Sequence, residues 1–470
     1  MEFQIVCEDT IKPLSSTPPE LRIVPLCLFD QEALNVYLPI FFFYNIDDDD
    51  DDDNLSSDRC RVLKDSLSKA LTFYYPFAGR LILSNESKHF SSNEQRGGYV
   101  DCNDMGVTFL EAKAGCPMSE IMYDNNLQRE ERLKLLLLDD MNKKDHGLLH
   151  PLMSIQLTQF ECGGEVICVS VYHKLVDITS TTNFMRDWAS IARSFRDGDP
   201  PTASPQFNAA TFFRPELDTN DGSSGGQDES GTSDGPSAGQ DELGTNEKVC
   251  NKRLVFESSK IAALKAMVSE KVENPTRVQL VAALIYKAAI SAKFSVTGCL
   301  PEISLLLLVI NLRNRVEPPL PTLIGNILTS FIASSTTKEH REMELWDLVS
   351  KMKRNLVVFC KKFPKDYKSE EWGNLYKSYA KESMEMLINV KEPPNVYVCS
   401  SWCKFPVYSV DFGWGKPIWV TIPEFPRKNV IMLLDTNDGE GIEVLLSLEK
   451  KEMEVFEQNQ ELFSFCEIKK

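Results

Sequence analysis

A histidine stands at the end of a strongly apolar segment, and an aspartate follows it four residues later. Segment 166–172 is rich in β-branched residues, which predicts a buried strand, and His173 and Asp177 come after it. An unperturbed histidine has a pKa of about 6.5, so near pH 7 it is largely neutral and can accept a proton. At the end of a strand it can lie at the floor of a cleft and act as a general base. The Asp177 carboxylate can fix the turn by pairing with a cation.

The H-x-x-x-D pattern fixes only two positions, and a hydrogen-bonded histidine beside a turn aspartate has the same spacing. A second motif favours the chemical interpretation. Near the C-terminal end stands Asp411-Phe412-Gly413-Trp414-Gly415. Five fixed residues that include a tryptophan are poorly explained by chance.

In this order and at this separation, the two motifs resemble the hallmarks of the plant acyl-CoA-dependent acyltransferases of the BAHD family. Further blocks of this kind are Y-Y-P-F-A-G-R at 74–80, V-I-N-L-R-N-R at 309–315, P-P-L-P at 318–321 and G-N at 325–326. Together these blocks span nearly the whole chain. Its opening is most similar to the alkaloid- and terpenoid-acylating, vinorine synthase-like branch.

The resemblance implies an α/β fold of two chloramphenicol-acetyltransferase-like domains with a central channel at their interface. We expect an N-terminal domain over 1–207 that carries H-x-x-x-D and a C-terminal domain over 251–470 that carries D-F-G-W-G. Between them we expect an acidic, low-complexity crossover linker over 208–250. A chain of 470 residues is long for one core and suits two domains of ordinary size.

Hydrophobic periodicity predicts the elements that position these motifs. Strands over 152–160 and 165–172, separated by two glycines, predict a hairpin that ends at His173. Helices are expected over 59–72, 182–195, 258–268 and 278–293, the third capped by Ser258 or Ser259. A core strand is expected over 305–310.

Residues 215–248 lose this periodicity and are rich in Gly, Ser, Asp and Thr, which predicts a loose linker. Two G-x-S-x-G matches lie inside it, at 222–226 and 231–235. Neither has the strand before it or the helix after it that a serine nucleophile needs.

The reaction that the resemblance implies is transfer of an acyl group from coenzyme A to an alcohol. His173 would remove the hydroxyl proton as the oxygen attacks the thioester, so no acyl-enzyme is required. By family position, Asp177 points away from the substrate and pairs with Arg313, and it orients the loop instead of relaying charge. Ser400 and Trp402 match positions whose hydroxyl and indole N–H lie near the reacting carbonyl, and they are candidate oxyanion donors. Trp402 is interpreted equally well as a core tryptophan.

Coenzyme A carries phosphates, so basic and polar residues are expected to bind it. The candidate cofactor-binding residues are Arg253, Ser258, Lys260, Asp411, Gly413 and Gly415. The resemblance implies that the D-F-G-W-G loop shapes the coenzyme side of the site, and a structural role is favoured over a catalytic one. Its glycines permit backbone angles closed to other residues, and Asp411 is expected to pair with a basic group. We expect no bound metal and no permanent cofactor, and no P-loop or G-x-G-x-x-G occurs.

The leading hypothesis is acetyl transfer from acetyl-CoA, as co-substrate, to a hydroxyl of an alkaloid or related plant specialised metabolite. Malonyl-CoA or another acyl-CoA is the alternative donor. A hydrolase that uses water in place of the alcohol and a non-catalytic relative that binds a small molecule also stay open. The presence of both His173 and Asp177 argues against the non-catalytic alternative.

The net charge of −18 resides mostly in two segments. One is the aspartate run 47–53, and the other is 215–248, with nine acidic residues and one lysine. The remainder is nearly neutral, which argues against nucleic-acid binding. Thirteen cysteines without metal-type spacing, and a start without the features of a secretory signal, predict a cytoplasmic protein with reduced thiols. No apolar run is long enough to predict a membrane span. The resemblance implies a monomer.

Overall fold

The computed structural model describes residues 2–45, 53–83, 97–123, 126–137, 150–198, 203–215, 248–299, 302–336, 339–340, 342–363, 365, 371–388 and 394–469. Residues 47–52 of the aspartate run lie outside the described residues. So do residues 216–247 of the linker, with both G-x-S-x-G matches.

The described chain contains a strand-rich first part and a mixed second part. The strands are β1 (Phe3–Ile11), β2 (Ile23–Pro25), β3 (Tyr37–Tyr44), β4 (Arg80–Ile82), β5 (Tyr99–Asp101), β6 (Val107–Ala114), β7 (Met153–Phe160), β8 (Glu165–Tyr172), β9 (Val249–Phe256), β10 (Ile303–Asn311), β11 (Leu328–Thr336), β12 (Asn395–Ser401), β13 (Trp419–Thr421), β14 (Val430–Asp435), β15 (Ile442–Glu449) and β16 (Glu467–Ile468). The α-helices are α1 (Leu28–Glu32), α2 (Asp53–Phe73), α3 (Ser119–Met122), α4 (Asn126–Lys134), α5 (Ile178–Asp197), α6 (Ala209–Phe212), α7 (Ser258–Ser269), α8 (Arg277–Thr297), α9 (Leu345–Lys362), α10 (Glu371–Ile388), α11 (Lys450–Phe456) and α12 (Gln460–Phe463).

The chain divides into two compact units. Unit 1 comprises 1–237, 318–327 and 405–423, and unit 2 comprises 238–317, 328–404 and 424–470. The division differs from the expected one, because two short segments of the C-terminal half belong to unit 1. One carries Gly325 and Asn326, and the other carries D-F-G-W-G. Two stretches of the expected linker belong to regular elements. Residues 209–212 form α6, and residues 249–250 begin β9.

Unit 1 is built on a six-stranded sheet in the order β1-β6-β7-β8-β3-β13 and a three-stranded sheet in the order β2-β5-β4. The predicted β7–β8 hairpin is confirmed, and its turn contains Gly163 with φ +76°. Every residue of β8 is buried, as its continuous apolar run predicts. β13 pairs with β3 and sets Trp419 opposite Phe43. The segment 405–423 therefore completes the sheet of unit 1.

Unit 2 is built on a seven-stranded sheet in the order β11-β10-β12-β14-β15-β9-β16. α8 supplies much of its core, and both ends of that helix follow from the sequence. Thr276 and Gln279 form a capping box, and Gly298 ends the helix with φ +72°. The cap predicted for α7 is wrong, because that helix begins at Ser258 and its N-cap residue is Glu257.

By length and composition alone, one described helix, α8, is apolar enough to cross a membrane. Of the window that meets this test, 61% is buried inside the chain, as expected for a core helix.

Candidate active site

The loop after β8 holds His173 in a defined orientation. Its backbone N–H donates to the Val36 carbonyl at 2.8 Å, and the half-buried imidazole Nδ1 lies 3.2 Å from the Val176 carbonyl. A carbonyl oxygen can only accept, so this contact favours the tautomer in which Nδ1 carries the hydrogen. In that tautomer Nε2 keeps its lone pair and is the basic atom.

Asp177 orders the same loop from its other end. It is the N-cap residue of α5, and its Oδ1 accepts the Ser180 N–H at 2.9 Å. Its Oδ2 accepts the Ile327 N–H at 3.1 Å, and the side chain is 1% exposed. Backbone amides therefore occupy both carboxylate oxygens, while the His173 imidazole donates to a carbonyl. This arrangement suits a residue that orients the loop better than a relay aspartate.

The buried carboxylate of Asp30, on α1, is linked to the His173 loop through Asn326. Asp30 accepts hydrogen bonds from the backbone N–H of Cys27 at 2.9 Å and of Asn326 at 2.7 Å. The Asn326 amide donates to Asp30 at 3.0 Å and to the His173 carbonyl at 2.7 Å. Burial raises the pKa of the Asp30 carboxyl, while its donors oppose that shift. Asn326 thereby links the buried carboxylate to the backbone of the candidate base.

Lys174 gives the loop a further tie to α1. Its ammonium donates to the Gln31 carbonyl at 2.7 Å, and burial lowers its pKa. Sequence reasoning missed the role of Asp30 and of Lys174. In the sequence, Asn326 stands out only as part of a family block, and no local pattern connects it to α1.

The D-F-G-W-G loop is ordered by its own aspartate. Asp411 Oδ1 accepts the N–H of Gly413 at 2.8 Å and of Gly415 at 3.1 Å, and these glycines have φ of +114° and +110°. The structure does not show the basic partner expected for the Asp411 carboxylate among the described residues, because Arg193 donates to the Asp411 backbone carbonyl instead. These contacts all lie within unit 1 and give the loop a structural role.

Unit 2 carries the two candidate oxyanion donors at the end of β12. Ser400 is half-buried, and Trp402, 7% exposed, donates its backbone N–H to the Leu433 carbonyl at 2.7 Å. Within the described part of the chain, neither the Ser400 hydroxyl nor the Trp402 indole N–H donates to another protein group. Both donors stay candidates for binding an oxyanion. Arg313 lies buried just after β10, where Nη1 contacts Asn311 Oδ1 at 3.4 Å, and its pair with Asp177 stays a prediction.

The structure gives Arg253 a role other than the expected one. Arg253 is 1% exposed, and its guanidinium lies 3.3 Å from Glu443, which also binds Lys469. A buried arginine with a carboxylate partner is not available to a phosphate, so it stabilises the sheet of unit 2. Ser258 and Lys260 are exposed on α7, and the Lys260 ammonium donates to the Ser464 carbonyl at 3.0 Å. Their binding of coenzyme A stays a prediction.

One group in the described residues has the composition of a metal site. Cys7, Asp9 and Glu111 place a sulfur and two carboxylate oxygens within 4.8 Å of one another. The Lys64 ammonium already binds both carboxylates, and the two partners raise the Lys64 pKa against the effect of burial. The Lys64 ammonium therefore lies between the two carboxylates and offsets one of their two negative charges.

Comparisons with known proteins agree over almost the full length of the chain. A family model described as "Transferase family" matches residues 1–463. A 17,18-epoxy-17-hydroxycur-19-ene N-malonyltransferase of Strychnos nux-vomica is 34% identical over 99% of this chain and 91% of that protein. Stemmadenine O-acetyltransferase of Catharanthus roseus is 30% identical over 96% of this chain and 95% of its own length. The crystal structure of vinorine synthase matches with a TM-score of 0.77 and 30% identity, covering 99% of each chain.

Proposed function

Because this chain belongs to the transferase family of BAHD acyltransferases, we propose that it transfers an acetyl group from acetyl-CoA to a hydroxyl of an alkaloid or a related plant metabolite. The observation that carries the proposal is the orientation of His173. Its Nδ1 is engaged by a backbone carbonyl 3.2 Å away, which directs the proton-accepting capacity to Nε2.

The expected α/β fold class and enzyme class are confirmed. The two units have the chloramphenicol-acetyltransferase-like fold of vinorine synthase, and the chain is an acyl-CoA-dependent acyltransferase. Acyl-CoA is thus the co-substrate.

The proposed reaction needs one base and no covalent intermediate. Nε2 of His173 takes the proton of the acceptor hydroxyl while the oxygen attacks the thioester carbonyl carbon. The C–S bond then breaks, the carbonyl re-forms, and the proton on Nε2 passes to the departing thiolate. The products are the ester and free coenzyme A. We propose that the Ser400 hydroxyl and the Trp402 indole N–H stabilise the negative oxygen between these steps.

Two similarities bear on the donor. Stemmadenine O-acetyltransferase is named for acetyl transfer to oxygen, which supports acetyl-CoA and a hydroxyl acceptor. The Strychnos relative is named an N-malonyltransferase, which makes malonyl-CoA the second candidate donor. The names of these relatives also support a bulky alkaloid acceptor. We further propose a cytoplasmic monomer, which a fluorescent fusion and light scattering test.

The test measures release of coenzyme A thiol by the purified protein, with acetyl-CoA or malonyl-CoA and a pooled panel of alkaloid alcohols. Release that needs an acceptor supports acyl transfer, whereas equal release without acceptor indicates a hydrolase. Mass spectrometry of the pool identifies the product. A folded protein that binds coenzyme A but releases no thiol with any acyl donor contradicts the proposal.

His173→Ala is expected to lower kcat by about 10²-fold or more, since a positioned base contributes about 10²–10⁴-fold. His340→Ala is the control, because it removes a histidine of unit 2 that lies outside both motifs. If the two variants retain equal activity, His173 is not the base.

A further inference from the structure

The D-F-G-W-G segment holds the last turns of α5 through two arginines. Arg193 donates from its guanidinium to the carbonyl of Asp411, and Arg196 Nη1 donates to the carbonyl of Gly413 at 2.9 Å. A Cβ built on Gly413 would lie 3.4 Å from Arg196 Nη1, so the loop backbone runs close to the guanidinium. Both acceptors are backbone carbonyls of a loop that Asp411 orders. The two contacts are three residues apart and lie on one face of the helix.

The same segment also packs against the middle of α5. The Phe412 ring is 2% exposed and meets Trp188 edge to face, with ring centroids 4.8 Å apart. From Trp188 to Arg196 is about 12 Å along a helix that rises about 1.5 Å per residue. The segment therefore supports more than two turns of α5.

The other end of α5 carries the candidate base. The helix begins directly after its N-cap residue Asp177, and His173 lies four residues before that cap. From Asp177 to Arg193 is about 24 Å of continuous helix at about 1.5 Å per residue. Consecutive i to i−4 hydrogen bonds make such a helix stiff, so its orientation at one end sets the position of the other.

We propose that the D-F-G-W-G segment is a splint for α5, and that Arg193 and Arg196 are positioning residues that hold the His173 loop in place through this helix. The proposal rests on the proposed function, in which His173 is the base. It assigns a purpose to a motif that contacts neither His173 nor Asp177 among its described hydrogen bonds.

Loss of the arginines is expected to move the base without unfolding the helix. The centre of α5 keeps its hydrogen bonds to α2, where Trp188 Nε1 donates to Ser66 Oγ at 3.0 Å. A displacement of about 1 Å at a reacting group can cost about 10²-fold in rate. The combined variant Arg193→Ala with Arg196→Ala is expected to lower kcat about tenfold or more, with KM for acyl-CoA changed less than about twofold.

Three comparisons accompany that variant. Arg186→Ala removes an exposed arginine of the same helix that makes no contact with the segment among the described residues, so it should keep wild-type kcat. Arg193→Lys with Arg196→Lys should recover part of the rate, because an ammonium can still donate to a carbonyl. Combining the double alanine variant with His173→Ala should lower the residual rate no further, since positions that act through one group are not additive. An unchanged kcat, or an equal fold loss in the His173→Ala background, overturns the proposal.

Hydrogen exchange tests the splint without using activity. Backbone amides at 178–182 are expected to exchange faster in the double alanine variant than in wild type or in Arg186→Ala. Equal exchange in all three overturns the proposal. If the wild type transfers no acyl group, the proposed function fails while this measurement still decides whether the segment orders the His173 loop.

Discussion

The Val176 carbonyl and the Asp177 carboxylate both position His173, the first by contacting its imidazole and the second by ordering its loop. The carbonyl engages Nδ1 and leaves Nε2 basic, and the carboxylate is occupied by the amides of Ser180 and Ile327. A histidine and an aspartate four residues apart therefore do not form a relay here. The Asp177 carboxylate orders the backbone of the loop that carries His173.

The Asp177→Asn variant tests whether Asp177 orders the His173 loop through its hydrogen bonds. The asparagine oxygen can still cap Ser180, but its NH₂ group would face the Ile327 N–H, which loses its acceptor. An unsatisfied buried amide costs about 1–3 kcal/mol, so the free energy of unfolding is expected to fall by about that amount. Urea unfolding measures it. Asp65→Asn, at an exposed position of α2, is the control and should change stability by less than about 0.5 kcal/mol. Equal stability of the two variants contradicts the assigned role.

At the scale of elements, α5 shows where propensity misleads. Its sequence opens Ile-Thr-Ser-Thr-Thr, a run of poor helix formers, and the periodicity predicts a start at residue 182. The helix instead begins at Ile178, because Asp177 caps it and Ser180 Oγ donates to the Gly325 carbonyl at 3.0 Å. Tertiary contacts thus extend the helix back to the candidate base.

In unit 2, Glu339 links the end of β11 to α9 and makes stability depend on pH. Its carboxylate accepts from Lys351 Nζ at 2.9 Å and from the Thr336 N–H at 2.7 Å. Lys351 and the backbone N–H and hydroxyl of Thr336 lower the Glu339 pKa to about 2. A depressed carboxyl pKa adds stability above the unfolded-state value, and that stability is lost as pH falls toward the folded-state value.

Glu339→Gln is therefore expected to be less stable than wild type near pH 6, by less than about 1 kcal/mol because the side chain is half exposed. The difference should shrink as pH falls from about 4.5 to about 2, since protonation removes the same charge from the wild type. Unfolding by urea across this range measures it. Glu342→Gln, at an exposed glutamate nearby, is the control. A difference that stays constant with pH contradicts the prediction.

At the scale of the whole molecule, unit 1 is not a contiguous stretch of chain. Segment 318–327 supplies Asn326 and Ile327, which donate to Asp30 and Asp177, and segment 405–423 supplies β13 and Phe412. The candidate base therefore lies on a unit that the N-terminal half cannot complete alone.

A fragment of residues 1–237 is expected not to fold. It removes the Asn326 donors of Asp30 and the Ile327 donor of Asp177, at about 1–3 kcal/mol for each lost partner, and it loses Phe412, at about 3–5 kcal/mol. These losses approach the whole stability of a typical domain, about 5–15 kcal/mol. Near-ultraviolet circular dichroism and limited proteolysis of the fragment test this, with the full chain as control. A cooperative thermal transition in the isolated fragment contradicts the prediction.

The sequence alone determined the family and the place of most of the predicted elements. Apolar runs and helical periodicity predicted β7, β8, β10, α2 and α8, because strand and helix periodicity is a local property. H-x-x-x-D and D-F-G-W-G identified the acyltransferase class, because rare residues at fixed spacing carry information without any structure.

The tertiary structure alone decided which residues meet. It brought Asn326 to Asp30 across 296 positions and Arg193 to Asp411 across 218. It also buried Arg253 against Glu443, where position along the chain had indicated a coenzyme contact. These partners depend on how strands and segments pair over long separations, and no local period in the sequence encodes such pairing.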